Sequence, residues 1–341
     1  MRPQRTTLGQ VADAAGVSIA TVSKVLNNRG DVSIETRRRV EKHLRASAYR
    51  RVGTRAVQPH RPSRQIVVRL GGAQNAYAMS VLDGIASSAQ LEGFEIVYSP
   101  GPGGEPSAAK AGSLLASGKA GAIFLTADAS GPEFKALYEA EFPVVVVDPL
   151  RVGGAHCISI GATNFTGAVT ATEHLLSLGH HRIGHAAGPY SVECSEARLS
   201  GYASALRRAG IGLEEQLVIH GHFQYEAGIE AGRQLLDLSD PPTAVFAASD
   251  EIALGVMEAA RRRDIRVPQD LSIVGFDDTF LATRATPPLT TVAQPLIEMG
   301  QLAVRSLAQL IAGDRVGTSH IELATRLVVR GSTTERPVPG A

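Results

Sequence analysis

The sequence predicts an α/β protein with a small three-helix head of helix-turn-helix type, followed by a larger body of two doubly wound lobes. Three observations support this fold class. Short helical patterns open the chain, two series of short apolar runs alternate with helical patterns after them, and the charge divides between the two parts. With 341 residues, 44% of them hydrophobic, the chain is long enough for a head and two buried cores.

The stretch from Thr7 to Asn27, TLGQVADAAGVSIATVSKVLN, has the pattern of two short helices that meet at a tight turn. The spacing after Thr7 is that of a capping box and predicts a first helix over about Leu8 to Ala15. Gly16 permits the positive φ that such a turn needs. Ser18 then caps a second helix that ends at about Leu26.

The second helix leaves small and polar side chains for an outer face: Ile19, Ala20, Ser23, Lys24 and Asn27. A short helix of this kind fits a DNA major groove, where an amide or a cation contacts base edges. The alternative is an ordinary helical hairpin inside a larger core. A third helix, starting at Ser33, closes the predicted head.

The charge distribution separates the head from the body. Residues 1–64 contain 14 Lys and Arg against 4 Asp and Glu, whereas residues 65–341 contain 20 against 29. A basic segment is expected where a chain neutralises DNA phosphates. We therefore predict a DNA-binding domain over residues 1–49, a basic linker over 50–64, whose two prolines oppose a continuous helix, and a body over 65–341.

Two series of apolar runs in the body predict two parallel sheets, each covered by helices on both faces. The first series is Ile66–Leu70, Phe94–Tyr98, Ala122–Leu125 and Val144–Val147. The second is Arg182–His185, Leu217–His220, Ala244–Ala247 and Ser272–Phe276. Two later segments, Thr290–Val292 and Ile321–Val329, recross between the lobes. We expect a ligand cleft at the carboxyl ends of the strands, between the lobes.

Motifs of other function classes are missing from the sequence. It contains no GxGxxG, GxSxG, HExxH, P-loop or CxxC, so we expect neither an enzyme nor a cofactor. The histidines of LGHHRIGH have no carboxylate or thiol at ligand spacing, so we expect no metal there. No apolar run has the length of a membrane span, and the N-terminus has no signal-type segment. We therefore expect a cytoplasmic protein without a membrane partner.

Segments of both head and body resemble one known family. TLGQVADAAGVSIATVSKVLN, VSIETRRRVEKHLRASAYR and ATNFTGAVTATEHLLSLGHHRIGHAAGP are similar to the lactose and galactose repressor (LacI/GalR) family. The resemblance implies a periplasmic-binding-protein-like core and a homodimer that binds a pseudo-palindromic, double-stranded operator, one head to each half-site. It also implies a transcriptional repressor whose operator affinity is controlled by a small sugar-like effector in the cleft.

The resemblance assigns DNA contacts to particular residues of the head and linker. Ile19, Ala20 and Lys24 fall where the second helix of the family meets base edges. The full implied set is Thr7, Leu8, Ser18, Ile19, Ala20, Thr21, Ser23, Lys24, Asn27, Arg51, Arg55 and Val57. Helix capping and packing are the alternative roles of Thr21 and Ser23.

The linker departs from the family pattern, in which a hinge helix inserts a Leu into the minor groove. Arg51 and Val52 stand where Pro and Asn are usual, and Gln58 stands at the Leu position. Val57 is a smaller candidate wedge one position earlier. The centrally kinked DNA of the family therefore does not follow from this sequence.

Two arguments select the expected effector contacts: the position of residues at strand ends, and the resemblance to the family. Ser249, Asp250 and Asp277 close predicted strands, and the resemblance adds a stacking tyrosine, an arginine for ligand hydroxyls and an aromatic ring for the apolar face of a sugar. The full set is Tyr77, Asn164, Phe165, Thr166, Arg198, Phe223, Ser249, Asp250, Asp277 and Gln294. Core packing is the alternative for Phe223, and helix or turn capping is the alternative for Asp250 and Asp277.

A free-standing sugar-binding protein of the uptake type is the main alternative function, because the same two lobes serve uptake systems. That class requires a signal peptide and no basic helical head. The sequence has the reverse of both features, which favours the repressor.

Overall fold

The structure is a computed structural model and describes residues 8–26, 34–46, 63–71, 75–100, 108–151, 157–190, 192–314 and 317–336. Contacts divide the chain into two compact units, Met1–Arg61 and Pro62–Ala341, which we treat separately. The predicted linker, residues 50–64, lies almost entirely outside the described residues. Its limits therefore stay a prediction.

The described residues of the N-terminal unit form three helices, α1 (Leu8–Ala15), α2 (Ile19–Leu26) and α3 (Ile34–Ala46). Gly16 has φ +62° at the turn between the first two, and the Ser18 hydroxyl accepts a hydrogen bond of 3.2 Å from the Thr21 N–H at the start of α2. The buried core consists of small and branched apolar residues: Val11, Ala12, Ala15, Val22, Val25 and Val40. The predicted bounds of the first two helices are confirmed.

The larger unit begins with alternating strands and helices. These elements are β1 (Gln65–Leu70), α4 (Ala76–Glu92), β2 (Glu95–Pro100), α5 (Ala108–Ala116), β3 (Gly121–Leu125), α6 (Pro132–Glu139), β4 (Val144–Val147) and β5 (Ile158–Ala162). The alternation continues with α7 (Asn164–Ser177), β6 (Ile183–Ala187), α8 (Glu193–Arg208), β7 (Val218–His220), α9 (Tyr225–Leu236), β8 (Ala244–Ala247), α10 (Asp250–Arg261) and β9 (Ser272–Asp277). The last elements are α11 (Phe280–Arg284), β10 (Thr290–Ala293), α12 (Leu296–Ala312), β11 (His320–Leu323) and β12 (Arg326–Val328).

The strands form two six-stranded sheets, one in each lobe. The order is β11-β5-β4-β3-β1-β2 in the first and β12-β10-β9-β8-β6-β7 in the second. All pairs are parallel except β10 with β12. The predicted α/β fold class with two doubly wound lobes is confirmed, with one correction. The run Ile321–Val329 is two strands, because the chain leaves the first sheet after Leu323 and enters the second at Arg326.

Helices cover both faces of each sheet and bury the apolar strands between them. In the first lobe, α4 and α12 pack on one face and α5 and α6 on the other. In the second lobe, α9 and α10 pack on one face and α7 and α8 on the other. Within the described part of the chain, no helix has both the length and the apolar character needed to cross a membrane.

Between the described elements, the chain crosses from one lobe to the other three times: β5 to α7, β10 to α12, and β11 to β12. The first and third are hydrogen-bonded to each other. The Thr163 N–H donates to the Leu323 carbonyl over 2.9 Å, and the Thr325 N–H donates to the Thr163 hydroxyl over 3.0 Å. The carboxyl ends of the strands in both sheets meet at the cleft that these crossings border.

Candidate functional site

A cleft of about 260 Å³ lies between the lobes at the carboxyl ends of the strands. The first lobe contributes Leu70, Gly71, Asn75, Ala76, Tyr77, Ala78, Thr126, Asp148 and Leu150. The second contributes Pro189, Val192, Cys194, Arg198, His222, Phe223, Gln224, Ser249, Asp250, Glu251, Asp277 and Thr279. A concave site with apolar walls and a few polar groups is typical of small-molecule binding.

Arg198 is the central cation of the cleft and is 3% exposed. Its Nε donates to Asn164 Oδ1 over 2.9 Å, and its Nη1 donates to the Ala248 carbonyl over 2.5 Å. The guanidinium carbon lies 3.8 Å from the centroid of the Phe276 ring and 5.8 Å from that of Phe223. Hydrogen bonds and ring contacts therefore fix the guanidinium before any ligand arrives.

Asp277 ends β9 opposite this arginine. Its Oδ1 lies 3.7 Å from Arg198 Nη2, which is too long for a hydrogen bond, and accepts a hydrogen bond of 2.6 Å from Gln294 Nε2. Burial raises the pKa of Asp277 well above its ordinary value; Arg198 opposes the rise, and Asp250 adds to it. The residue has φ +114°, a strained conformation of the kind that concentrates at functional sites.

Asp250 is the first residue of α10 and is almost fully buried. It accepts hydrogen bonds from the Thr279 N–H at 2.7 Å, the Thr279 hydroxyl at 2.9 Å and the Thr291 hydroxyl at 2.6 Å. Burial raises its pKa to about 6. The cap of α10 is Ser249, whose hydroxyl accepts from the Ile252 N–H at 3.2 Å. Both side chains thus have structural bonds in addition to their place in the cleft wall.

Tyr77 and Asp148 are a hydrogen-bonded pair in the first lobe's wall. The Tyr77 hydroxyl donates a hydrogen bond to Asp148 Oδ2. Burial raises the pKa of both groups, and the hydrogen bond from Tyr77 opposes the rise at Asp148. Asp148 is absent from the predicted site, although it directly follows the run Val144–Val147. The same strand-end argument that selected Asp277 identifies it.

Two predicted residues lie behind the cleft wall rather than on it. Asn164 links Arg198 to the first crossing, because its Nδ2 donates to the Ala162 carbonyl over 3.0 Å. Gln294, 6% exposed, follows β10 in the second crossing and holds Asp277. Its Oε1 is buried and has no hydrogen-bond partner among the described residues.

Phe165 and Thr166 are outside the set of residues that line the cleft. Both lie in the first turn of α7 and are exposed, Phe165 by 42%. Other lining residues had not been predicted: Asn75, Thr126, Cys194, His222 and Glu251. Two of these residues could have been identified from the sequence. Thr126 directly follows strand β3, and Glu251 is next to the predicted contact Asp250.

The head presents a second candidate site on α2. Ile19 is 56% exposed, and Ala20 and Lys24 are exposed as well. The hydroxyls of Ser18 and Thr21 lie 2.9 Å apart, so both take part in the helix start. Leu8 and Ser23 lie in α1 and α2, whereas Thr7, Asn27, Arg51, Arg55 and Val57 lie outside the described residues.

Two of the three histidines of LGHHRIGH, His180 and His185, have structural partners. The ring of buried His180 lies within 2.9 Å of the Thr243 hydroxyl and 3.1 Å of the Ser272 hydroxyl. Buried His185 stacks between Tyr202 and Phe246. The described residues contain no group of three or more His, Cys, Asp or Glu side chains placed to hold a metal ion.

Two family models match the chain. Residues 7–51 match "Bacterial regulatory proteins, lacI family", and residues 172–333 match "Periplasmic binding protein-like domain". Among curated proteins, the transcriptional repressor CytR of Escherichia coli (strain K12) is 34% identical over 331 residues, 97% of each chain. The transcriptional regulator DegA of Bacillus subtilis (strain 168) is 36% identical over 337 residues, 97% of this chain and 98% of its own.

Solved structures show the same likeness over nearly the whole chain. A complex of the transcriptional regulator CelR with cellobiose has a TM-score of 0.74 at 33% identity and covers 96% of this chain and 100% of its own. The lac repressor dimer bound to operator and the anti-inducer ONPF has a TM-score of 0.70 at 31% identity, covering 97% of this chain and 100% of its own. The likeness thus spans head and body together.

Proposed function

The chain belongs to the lacI family of bacterial regulatory proteins, and we propose that it is a transcriptional repressor controlled by a small sugar-like effector. The effector binds between the two lobes and sets the affinity of the heads for operator DNA. The protein acts as a homodimer on a pseudo-palindromic operator, since two-fold protein symmetry matches two equivalent half-sites. The lac repressor relative, solved as a dimer on its operator, supports this assembly.

The α2 face supports the DNA-binding part of the proposal. Ile19, Ala20 and Lys24 are exposed together on a helix that the packed core of the head holds in place. We assign base contacts to these three residues and phosphate contacts to the basic residues of the head and linker. The contacts assigned to Thr7, Asn27, Arg51, Arg55 and Val57 remain part of the proposal.

One observation carries the effector part, the 3.7 Å gap between Arg198 Nη2 and Asp277 Oδ1. A fixed donor faces a fixed acceptor across a distance that a hydrogen bond does not close. A ligand hydroxyl accepts from the first and donates to the second, so a polyhydroxylated molecule satisfies both. The Phe223 ring beside Arg198 offers a face for the apolar side of a sugar ring. CelR, solved with cellobiose, is a relative whose ligand has this chemistry.

The proposed contacts are those predicted residues that line the cleft, together with the newly found carboxylate of Asp148: Tyr77, Asp148, Arg198, Phe223, Ser249, Asp250 and Asp277. Asn164 and Gln294 support Arg198 and Asp277 from behind. Phe165 and Thr166 are left out, because they do not line the cleft.

The competing functions have less support. An uptake-type binding protein does not explain the lacI-type head at residues 7–51 or relatives that align over 97% of the chain as transcription regulators. The relatives named above are regulators, which supports the absence of catalysis and of a cofactor. A protein whose partner is operator DNA works in the cytoplasm, where that DNA lies.

The cleft and the three crossings suggest how the effector acts. A ligand held by both lobes favours one lobe arrangement, and the crossings, two of which are hydrogen-bonded through Thr163 and Thr325, are the segments where the chain would bend as the lobes move. A preference of ~1 to 3 kcal/mol for one dimer conformation is enough to change operator affinity about 5- to 150-fold. Induction and corepression both use this arrangement.

Thermal unfolding in the presence of pentoses, hexoses, disaccharides and nucleosides tests the effector part. A ligand at a hundred times its dissociation constant adds ~2.7 kcal/mol of stability, which shifts the melting midpoint measurably. We expect one ligand class to raise the midpoint of the parent and to leave that of Arg198→Ala unchanged. If the protein binds operator but no sugar shifts its melting midpoint, the claim that the effector is a sugar is wrong.

A further inference from the structure

The charged groups of the cleft indicate which ligands it accepts. The described residues that line it include one guanidinium, that of Arg198, and four carboxyl groups, those of Asp148, Asp250, Glu251 and Asp277. We propose that the cleft selects uncharged, hydroxyl-rich ligands and excludes phosphate esters and other anions. This restriction rests on the proposed function and narrows it to unphosphorylated effectors.

Two of the five N–H groups of the Arg198 guanidinium are bonded within the protein, which reduces the donors available to an anion. Binding a phosphate in bidentate fashion takes two parallel N–H groups of the guanidinium. In Arg198, however, Nε is bonded to Asn164 and Nη1 to the Ala248 carbonyl. The remaining nitrogen, Nη2, lies 3.7 Å from Asp277. A phosphate there would contact a carboxylate as closely as the arginine, whereas a hydroxyl bonds to both.

The other natural anion site of the cleft is already occupied by the protein. Helix α4 starts at the cleft wall, and helix N-termini bind phosphate through their first N–H groups. Here Asn75 Oδ1 accepts from the Ala78 N–H over 2.9 Å. The carboxylate of Glu251, which belongs to α10 of the opposite lobe, lines the cleft together with Ala76, and the Ala76 N–H opposes the rise that burial causes in the pKa of this carboxylate. An anionic ligand would have to displace Glu251 from this helix end.

The remaining carboxylates lie deep in the wall with neutral partners. The Tyr77 hydroxyl donates to Asp148, and the Gln294 amide donates to Asp277. Burial already disfavours the charged forms of Asp148 and Asp277, and a further negative charge beside them is unfavourable for the same reason, because it is removed from water and repels any ionised carboxylate. Ligand hydroxyls donate to carboxylates and meet no such barrier.

Inorganic phosphate tests the exclusion of anions without knowledge of the effector. We would measure the melting midpoint against phosphate concentration, with potassium chloride added to hold the ionic strength constant. Phosphate stabilises many proteins by exclusion from the surface, so the informative quantity is the difference from a matched variant. Glu139→Gln serves as that control, because it removes one exposed carboxylate from α6 in the first lobe.

We expect the parent and Glu139→Gln to respond alike and without saturation. Asp277→Asn and Glu251→Gln each keep the side-chain shape and replace an ionisable carboxyl group by a neutral amide with an N–H donor, so at least one should gain a saturable increase in midpoint. The proposal is overturned if the parent already shows a saturable increase that Arg198→Ala abolishes. It is also overturned if neither amide variant differs from Glu139→Gln.

Matched ligand pairs provide the second measurement: ribose with ribose 5-phosphate, and glucose with glucose 6-phosphate. Where a free sugar binds, its phosphate ester should bind at least about 100-fold more weakly, because like charges in one binding site are strongly unfavourable. An ester that binds more tightly than its free sugar would overturn the proposal. If neither member of any pair binds, the result contradicts the proposed sugar effector and not the exclusion of anions. The phosphate titration still tests the exclusion of anions.

Discussion

Replacing Gly84 with alanine tests the packing of α4 against α12 in the first lobe. This packing supports the wall that the first lobe contributes to the cleft. The added Cβ would collide with the backbone carbonyl of Ile297, and a Cβ on Gly300 would collide with that of Val81. Both colliding groups are helix backbone, so only separation of the two helices relieves the contact. That separation would loosen a core in which Ile85 and Met299 are fully buried.

The expected cost is the balance of two opposing effects. Overpacking of a core costs ~1 to 3 kcal/mol, whereas replacing a mid-helix glycine by alanine gains roughly 0.5 to 1 kcal/mol. The overpacking cost should lie near its upper end, because backbone cannot move aside as a side chain can. After the gain from replacing glycine is subtracted, we expect Gly84→Ala to lower the free energy of unfolding by about 2 kcal/mol. At about 2 to 4 °C per kcal/mol for a chain segment of this size, the midpoint falls by roughly 4 to 8 °C.

Gly112→Ala is the matched control. It lies inside helix α5 of the same lobe, is exposed, and has no atom within 4 Å of the added Cβ. The same chemical change there should raise stability by about 0.5 to 1 kcal/mol. The assay is thermal unfolding followed by circular dichroism for the parent and both variants. A Gly84→Ala protein as stable as Gly112→Ala would refute the close helix contact.

Three further predictions concern the head, the cleft and the second lobe. Lys24→Ala should weaken binding to the operator by about 1 to 3 kcal/mol and should weaken binding to scrambled DNA by less, as measured by mobility shift. An equal loss of affinity for both DNAs would reject a contact between Lys24 and the bases. Phe223→Leu should weaken effector binding roughly 2- to 10-fold by calorimetry through loss of aromatic contact, and an unchanged affinity would place the ring outside the site. Burial lowers the pKa of His185 to about 4, so the folded state binds fewer protons than the unfolded state. The parent should therefore lose about 3 kcal/mol relative to His185→Phe as the pH falls from 7 to 4, and parallel pH profiles in chemical denaturation would contradict this.

Hydrophobic periodicity and turn chemistry predicted most of the fold. The spacing around Gly16 placed α1 and α2 within their observed bounds, and eight apolar runs of the body coincide with strands. The sequence does not predict β5, since ISIGA carries small residues at three of five positions. The run Ile321–Val329 has the pattern of one segment, because a crossing between two sheets leaves no gap in the hydrophobic pattern of one chain.

The candidate site was predicted in part. Asp250 and Asp277 follow from the rule that parallel strands end at one edge, and the same rule applied to β4 would have added Asp148. The positions of Asn164 and Phe165 required the structure. Neighbours on a helix point in directions about 100° apart, so one supports Arg198 while the other faces solvent.

The coupling between cleft and operator is measured most directly by the operator dissociation constant with and without the effector found by thermal unfolding. The parent should change its affinity about 5- to 150-fold with effector. Arg198→Ala should bind operator as the parent does and show no change. Arg208→Ala is the control, because it removes an exposed arginine from the same helix, α8. An effector response that survives in Arg198→Ala, or a parent that binds effector without any change in operator affinity, would contradict control of DNA binding through this cleft.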